Sequence, residues 1–223
     1  QITLRDRLRV LILEGRPQVG ARLELAFDPD RQQNPLVVTR VPLREFRNQK
    51  LSDFDAVFLA DVSSLETIEG RMLADYMDAG GGVVWTVGPN VDIPRLQESW
   101  QQVMTGDTLQ FEGVAPRGQY RFDAGEYLHP ILSAFAGQPR SGLSTTPIYQ
   151  YLRVSPGDDA TTVLSLNDGN GAIFSGAVGA GRWVFVTLPW GEARDTGKER
   201  WSEVTVWPVF VPIVHETLDW AMR

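Results

Sequence analysis

The sequence predicts an α/β protein: a three-layer sandwich with a mostly parallel central sheet, followed by an antiparallel, β-rich extension in the C-terminal half. Three observations carry that reading. Continuous apolar runs, as expected of strands buried on both faces, alternate with segments of helical period at the spacing of βαβ units. After Gly106 this alternation gives way to short strands among glycines and prolines. The chain of 223 residues, 43% of them hydrophobic, suits one enlarged domain with a real core. The expected organisation is a βα core over 1–105, a β-rich insertion over 106–180, and a last core strand, long loop and helix over 181–223.

Arg9–Glu14 (RVLILE) is the first strand, closed by Gly15, Arg16 and Pro17. Gly20–Phe27 reads as a short helix with Leu23 and Phe27 on one face, broken by Asp28-Pro-Asp30. Leu36–Val41 and Phe54–Ala60 are further strands. Ser63-Ser-Leu-Glu66 has the spacing of a capping box. Behind it Leu65, Ile68, Met72, Tyr76 and Ala79 recur at helical period, and Gly80 fits the helix C-terminus. Val83–Val87 is a strand and Pro94–Met104 a helix with proline near its first turn. Leu109–Val114, Gly118–Phe122 and Ile148–Val154 read as short strands, and His129–Leu132 starts a helical turn. Ala160–Leu166 and Ala172–Ala177 form a hairpin across Asp168-Gly-Asn-Gly171. Gly179-Ala-Gly-Arg182 turns into Trp183–Leu188, a polar connection runs from Pro189 to Pro208, and Phe210–Met222 is the last helix.

Composition excludes several function classes. Net charge is −7, so the basic stripe that a phosphate backbone demands is lacking. Cysteine is absent, which removes disulfides, thiolate metal sites and a cysteine nucleophile together. The two histidines form neither HxH nor HExxH, and Asp158-Asp159 and Asp168-x-Asn170 do not have the spacing of a calcium loop. No metal or cofactor is expected. No apolar run approaches the ~20 residues that span a bilayer, so no direct membrane insertion is expected. Strand-like sequence from about Arg9 and a finish inside a helix are expected of a piece of a longer protein.

The segment 54–92, FDAVFLADVSSLETIEGRMLADYMDAGGGVVWTVGPNVD, resembles the one shared by class I glutamine amidotransferase-like folds and trehalose-utilisation-type domains. More narrowly, RVLILEGRP, AGGGVVWTVGPNVD, HPIL at 129–132 and the tail GAGRWVFVTLPW resemble the amidotransferase-like domain of BatA-type membrane-anchored bacterial proteins. The resemblance implies a flavodoxin-like fold. In catalytic members the strand after the glycines ends in a sharp elbow that presents a cysteine, with backbone N–H groups holding the oxyanion. Here that place falls on Val87, which has no nucleophilic atom, and Pro89 lacks an N–H. The late strand Trp183–Leu188 leads to Glu192, which could mimic the acid, but to no histidine. The expectation is a domain without enzymatic activity.

Open parallel sheets bind ligands beyond the carboxyl ends of their strands. Glu14, Asp61, Asn90 and Asp92 fall there with Arg16 beside them, either as a polar pocket for a cation or sugar hydroxyls or as a solvated, ion-paired rim. Trp190, Trp201 and Trp207 flank the 189–208 connection near Arg194, Lys198 and Arg200, either as an interaction loop or as staples holding it to the core. His129 and His215 read as turn and packing residues, and Gly176–Gly181 as a hairpin turn, since it precedes a strand and opens no helix. Three functions stay open: a scaffold or interaction module in a larger membrane-anchored protein, a binding module for a polar ligand or carbohydrate, and a carboxylate-based hydrolase. Partners are other domains of the parent protein or a membrane-complex protein, without nucleic acid. The resemblance implies an extracytoplasmic position.

Overall fold

The computed structural model describes residues 7–27, 36–123, 125, 127–137, 142–191 and 200–223. Among these residues nine strands and four α-helices follow in the order β1 (Leu8–Glu14), α1 (Ala21–Phe27), β2 (Leu36–Pro42), β3 (Ala56–Ala60), α2 (Thr67–Asp78), β4 (Gly82–Thr86), α3 (Ile93–Val103), β5 (Leu109–Val114), β6 (Leu152–Pro156), β7 (Thr161–Ser165), β8 (Gly171–Val178), β9 (Gly181–Val186) and α4 (Phe210–Ala221). Seven strands form one sheet in the order β2-β1-β3-β4-β9-β8-β7, and β5 and β6 form an antiparallel pair. The first five of the seven are parallel, with β8 and β7 antiparallel beyond them. With β9 as fifth strand this is the 2-1-3-4-5 order of the flavodoxin-like fold. The β5–β8 extension is spliced in before that last core strand.

Burial explains the continuous apolar runs. Val10 and Ile12 face one core, with α1, α4 and the 3₁₀ turn at Pro130–Phe135, while Leu11 and Leu13 face the other, with α2, α3, β5 and β6. Val184 and Val186 against Trp183 and Phe185 repeat that division in β9. Such period-two alternation leaves no polar face on a strand covered from both sides. The second core centres on Trp100, whose ring meets Trp183 edge-on at 5.1 Å and Phe185 at 5.2 Å. Its Nε1 donates to Thr108 Oγ1 at 2.8 Å, so the buried indole N–H is satisfied.

Three expectations are corrected. Helix α2 is capped by Glu66 rather than Ser63, with Glu69 Oε2 accepting from Glu66 N at 2.9 Å. The preceding chain is drawn out along α3, because Leu65 N donates to Ser99 Oγ at 2.8 Å. Its buried face is accordingly Glu69, Gly70, Leu73, Tyr76 and Met77, and Ile68 is 58% exposed. Residues 118–122 and 148–151 make no strand of their own; isolated bridges join Tyr120 to Ile148 and Phe122 to Leu166, and β6 begins at Leu152. Pro116 and Pro147 cannot donate to a ladder, which limits pairing at both ends of that stretch. The break at 28–30 and residues 192–199 of the 189–208 connection lie outside the described residues.

Candidate functional site

The order of strands reverses between β1 and β3, and their carboxyl ends deliver Glu14 and Asp61 side by side at this switch point. Both are buried, at 7% and 6% exposure. Two buried carboxylates would be costly without partners, and each has one. Glu14 Oε1 accepts from Gly20 N at 2.8 Å and from Arg40 Nη1 at 2.9 Å. Arg40 also donates through Nε to Glu24 Oε2 at 2.9 Å. Burial works against the Arg40 charge, but the two carboxylates outweigh it and hold the guanidinium above its usual range. Asp61 Oδ2 accepts from Arg16 through both Nε and Nη2.

The backbone is built around Asp61. Its φ of +53° is left-handed, a region that aspartate visits more readily than most residues. Gly15 and Gly88 close on it from either side. A Cβ on Gly15 would stand 2.0 Å from the Asp61 carbonyl oxygen, and one on Gly88 2.4 Å from Oδ1. Hydrogen bonds from Gly15 N to Ala60 O and from Asp61 N to Thr86 O carry the sheet past the formal strand ends. Where a flavodoxin-like fold opens a crevice, this chain thus packs glycine backbone and the Arg16–Asp61 pair. Asn90 lies half-buried farther along the rim. Asp92 is about half exposed and caps α3, accepting from Arg95 N at 3.3 Å, with the Arg95 guanidinium at 3.6 Å. Arg40, Glu24 and Gly20 complete the cluster and were not singled out in the sequence; Arg40, the one charged residue of β2, was the available signal.

The β4 end has no elbow. Val87 is 1% exposed and packed in the α2/α3 core. Thr86 Oγ1 donates to Leu59 O at 3.4 Å, within the sheet. The chain then turns through a Val91 N to Gly88 O hydrogen bond and enters α3 only at Ile93. No helix N-terminus therefore faces position 87, and no side chain there can attack a carbonyl. Beyond β9, Thr187 is tied to Ala172 O and Trp190 is buried against Phe210. Glu192, Arg194 and Lys198 lie outside the described residues.

Neither histidine serves that place. His215 Nε2 donates to Ala26 O at 2.9 Å and its ring meets Phe27 edge-on. His129 Nδ1 accepts from Ile131 N at 3.2 Å, and Nε2 lies 3.3 Å from Ser175 Oγ. That geometry resembles a serine–histidine pair, but the acceptor role of Nδ1 places the neutral ring's proton on Nε2. The ring therefore donates to Ser175 and cannot take its proton. Burial lowers the His129 pKa, which keeps the ring neutral. Trp190 and Trp201, 1% and 4% exposed, belong to the two cores, and Trp207 is half-buried against the α4 side. Among the described residues no group of three or more histidines, cysteines or carboxylates could hold a metal ion, and no helix is long and apolar enough to cross a membrane.

No protein-family model matches the chain, and no curated protein matches it by sequence. Solved structures do. A cytoplasmic protein of Salmonella typhimurium superimposes with TM-score 0.69 at 12% identity, covering 96% of this chain and 99% of its own. A ThuA-like protein of Bacteroides uniformis gives 0.60 at 11%, covering 99% and 94%. A β-galactosidase of Halorubrum lacusprofundi gives 0.54 at 15%, covering 97% of this chain but 30% of the enzyme. At such identities the likeness is one of fold. The chain is a flavodoxin-like α/β protein whose switch point is occupied by its own ion pairs.

Proposed function

We propose that this chain is a non-catalytic, amidotransferase-like domain that acts as a scaffold or interaction module within a larger, membrane-anchored bacterial protein of the BatA type. One observation carries the loss of activity: the position of the nucleophile is Val87, buried and followed by a loop instead of a helix. The ThuA-like neighbour and the motifs of the 54–92 segment support the amidotransferase-like descent. The β-galactosidase supports the module reading, since the matching region is about a third of that enzyme's chain. It also supports the second reading, a carbohydrate-binding module, but sugar hydroxyls could reach Glu14 and Asp61 only by displacing Arg40 and Arg16.

Cross-linking mass spectrometry on the full-length gene product in its native membrane tests the module reading. Cross-links from this domain to other domains of its chain or to a membrane-complex protein are expected. A domain that forms none, yet protects its strand ends when a saccharide is added, would overturn the scaffold reading in favour of carbohydrate binding.

A further inference from the structure

We propose that the groove between the 3₁₀ turn Leu43–Asn48 and α3 binds a short peptide with free termini, taking its carboxylate at Arg44 and its ammonium at Glu98. This goes beyond the interaction-module reading and does not rest on it. The groove has a volume of about 500 Å³, and every segment that builds it lies in the unbroken described stretch 36–123. Arg44 stands on the wall made by the 3₁₀ turn, and Glu98 and Gln102 stand on the α3 wall. Between them the non-helical approach to α2 forms the floor with Ser64, Leu65 and Thr67. This floor offers polar groups that lack partners. Ser64 makes no hydrogen bond to a described residue through its N–H, its C=O or its hydroxyl, and Thr67 makes none through its hydroxyl. Gln102 keeps Oε1 buried without a donor. A peptide brings the N–H and C=O groups that would pair with these.

Charge selects the ligand. Both signs line the groove, and most of these side chains are already paired. Arg95 lies 3.6 Å from Asp92, and Arg47 holds Glu66 and Glu69 at 3.3 Å each. Arg44 and Glu98 remain. Both are exposed, and among the described residues neither makes an ion pair or a side-chain hydrogen bond. A purely anionic ligand would meet three glutamates, and a purely cationic one two arginines. A ligand with one charge of each sign at its ends meets an opposite charge on each wall. A short free peptide has both charges and, between them, the amide groups that the floor can use.

The test is an NMR titration of the isotope-labelled 223-residue chain with triglycine, N-acetyl-triglycine and triglycine amide. Triglycine should shift the amides of 43–44, 64–69 and 95–102 and no others. Capping either end should weaken binding about fivefold, the scale of one exposed charge pair. Glu98→Gln should then bind triglycine and its acetylated form alike, and Arg44→Gln should bind triglycine and its amide alike. Both positions are exposed, so both variants should fold. Absence of shifts at about 20 mM triglycine, shifts outside those segments, or equal binding of all three peptides to the unaltered chain would each overturn the proposal. The cross-linking result decides the scaffold reading separately, since the titration does not depend on it.

Discussion

The side chain of Asp61 is 3% exposed and that of Arg16 21%, so the two ends of this ion pair are not equivalent. Removing the arginine takes the guanidinium from a buried carboxylate, whereas removing the aspartate charge leaves a guanidinium that water can reach. We expect Arg16→Met to cost about 3 kcal/mol in urea unfolding and Asp61→Asn only about 1–2, since asparagine also tolerates the left-handed backbone. The reverse order would mean that Arg16 is the buried partner. His129 gives a pH signature. Its pKa is lowered in the folded state by burial, so between that value and the unfolded 6.5 the unfolded chain binds more protons. Stability should therefore be full above pH 6.5 and fall as pH drops through the folded value. His129→Asn, which can still cap the turn, should flatten this part of a pH series of urea melts. At this scale Glu14, Arg16 and Asp61 were legible, because strand ends can be read from apolar runs followed by glycine. Arg40 was not, since its approach to Glu14 depends on a β1–β2 register that pairs Ile12 with Arg40.

Among the elements, the strands buried on both faces were the most legible and α2 the least. Its apolar residues fit two stripes about equally, and the choice was made by tertiary contacts. Ser99 holds Leu65 outside the helix, and Gly70 lets the backbone approach Gln102, where a Cβ would fall 2.7 Å from Oε1. The two stripes predict different mutants. Ile68→Ala should change stability by less than about 0.5 kcal/mol, while Leu73→Ala, at a fully buried position, should cost about 2–4 kcal/mol by urea titration. Equal effects would restore the stripe predicted from sequence. The hairpin β7–β8 was legible from its turn: Asp168 Oδ1 accepts from Asn170 N at 3.1 Å, a local bond written in Asp-Gly-Asn-Gly. The bridges at Tyr120 and Phe122 are non-local, and nothing near them in sequence announces their partners.

For the whole molecule, the class of fold follows from alternation and spacing, but the position of β9 does not. It is laid beside β4 only after the intervening residues 87–180, a pairing set by how the cores close over Trp100. The closure of the switch point, on which the proposed loss of catalysis leans, is a property of the assembled sheet: Gly15, Asp61 and Gly88 come from three different strand ends. The most direct test follows amide resonances and free ammonium in one sample as glutamine is added to millimolar concentration. The account predicts no ammonium above the buffer rate and no shift at Gly15, Gly20, Asp61 or Gly88. Ammonium release with shifts at those amides, lost in Asp61→Asn, would contradict it.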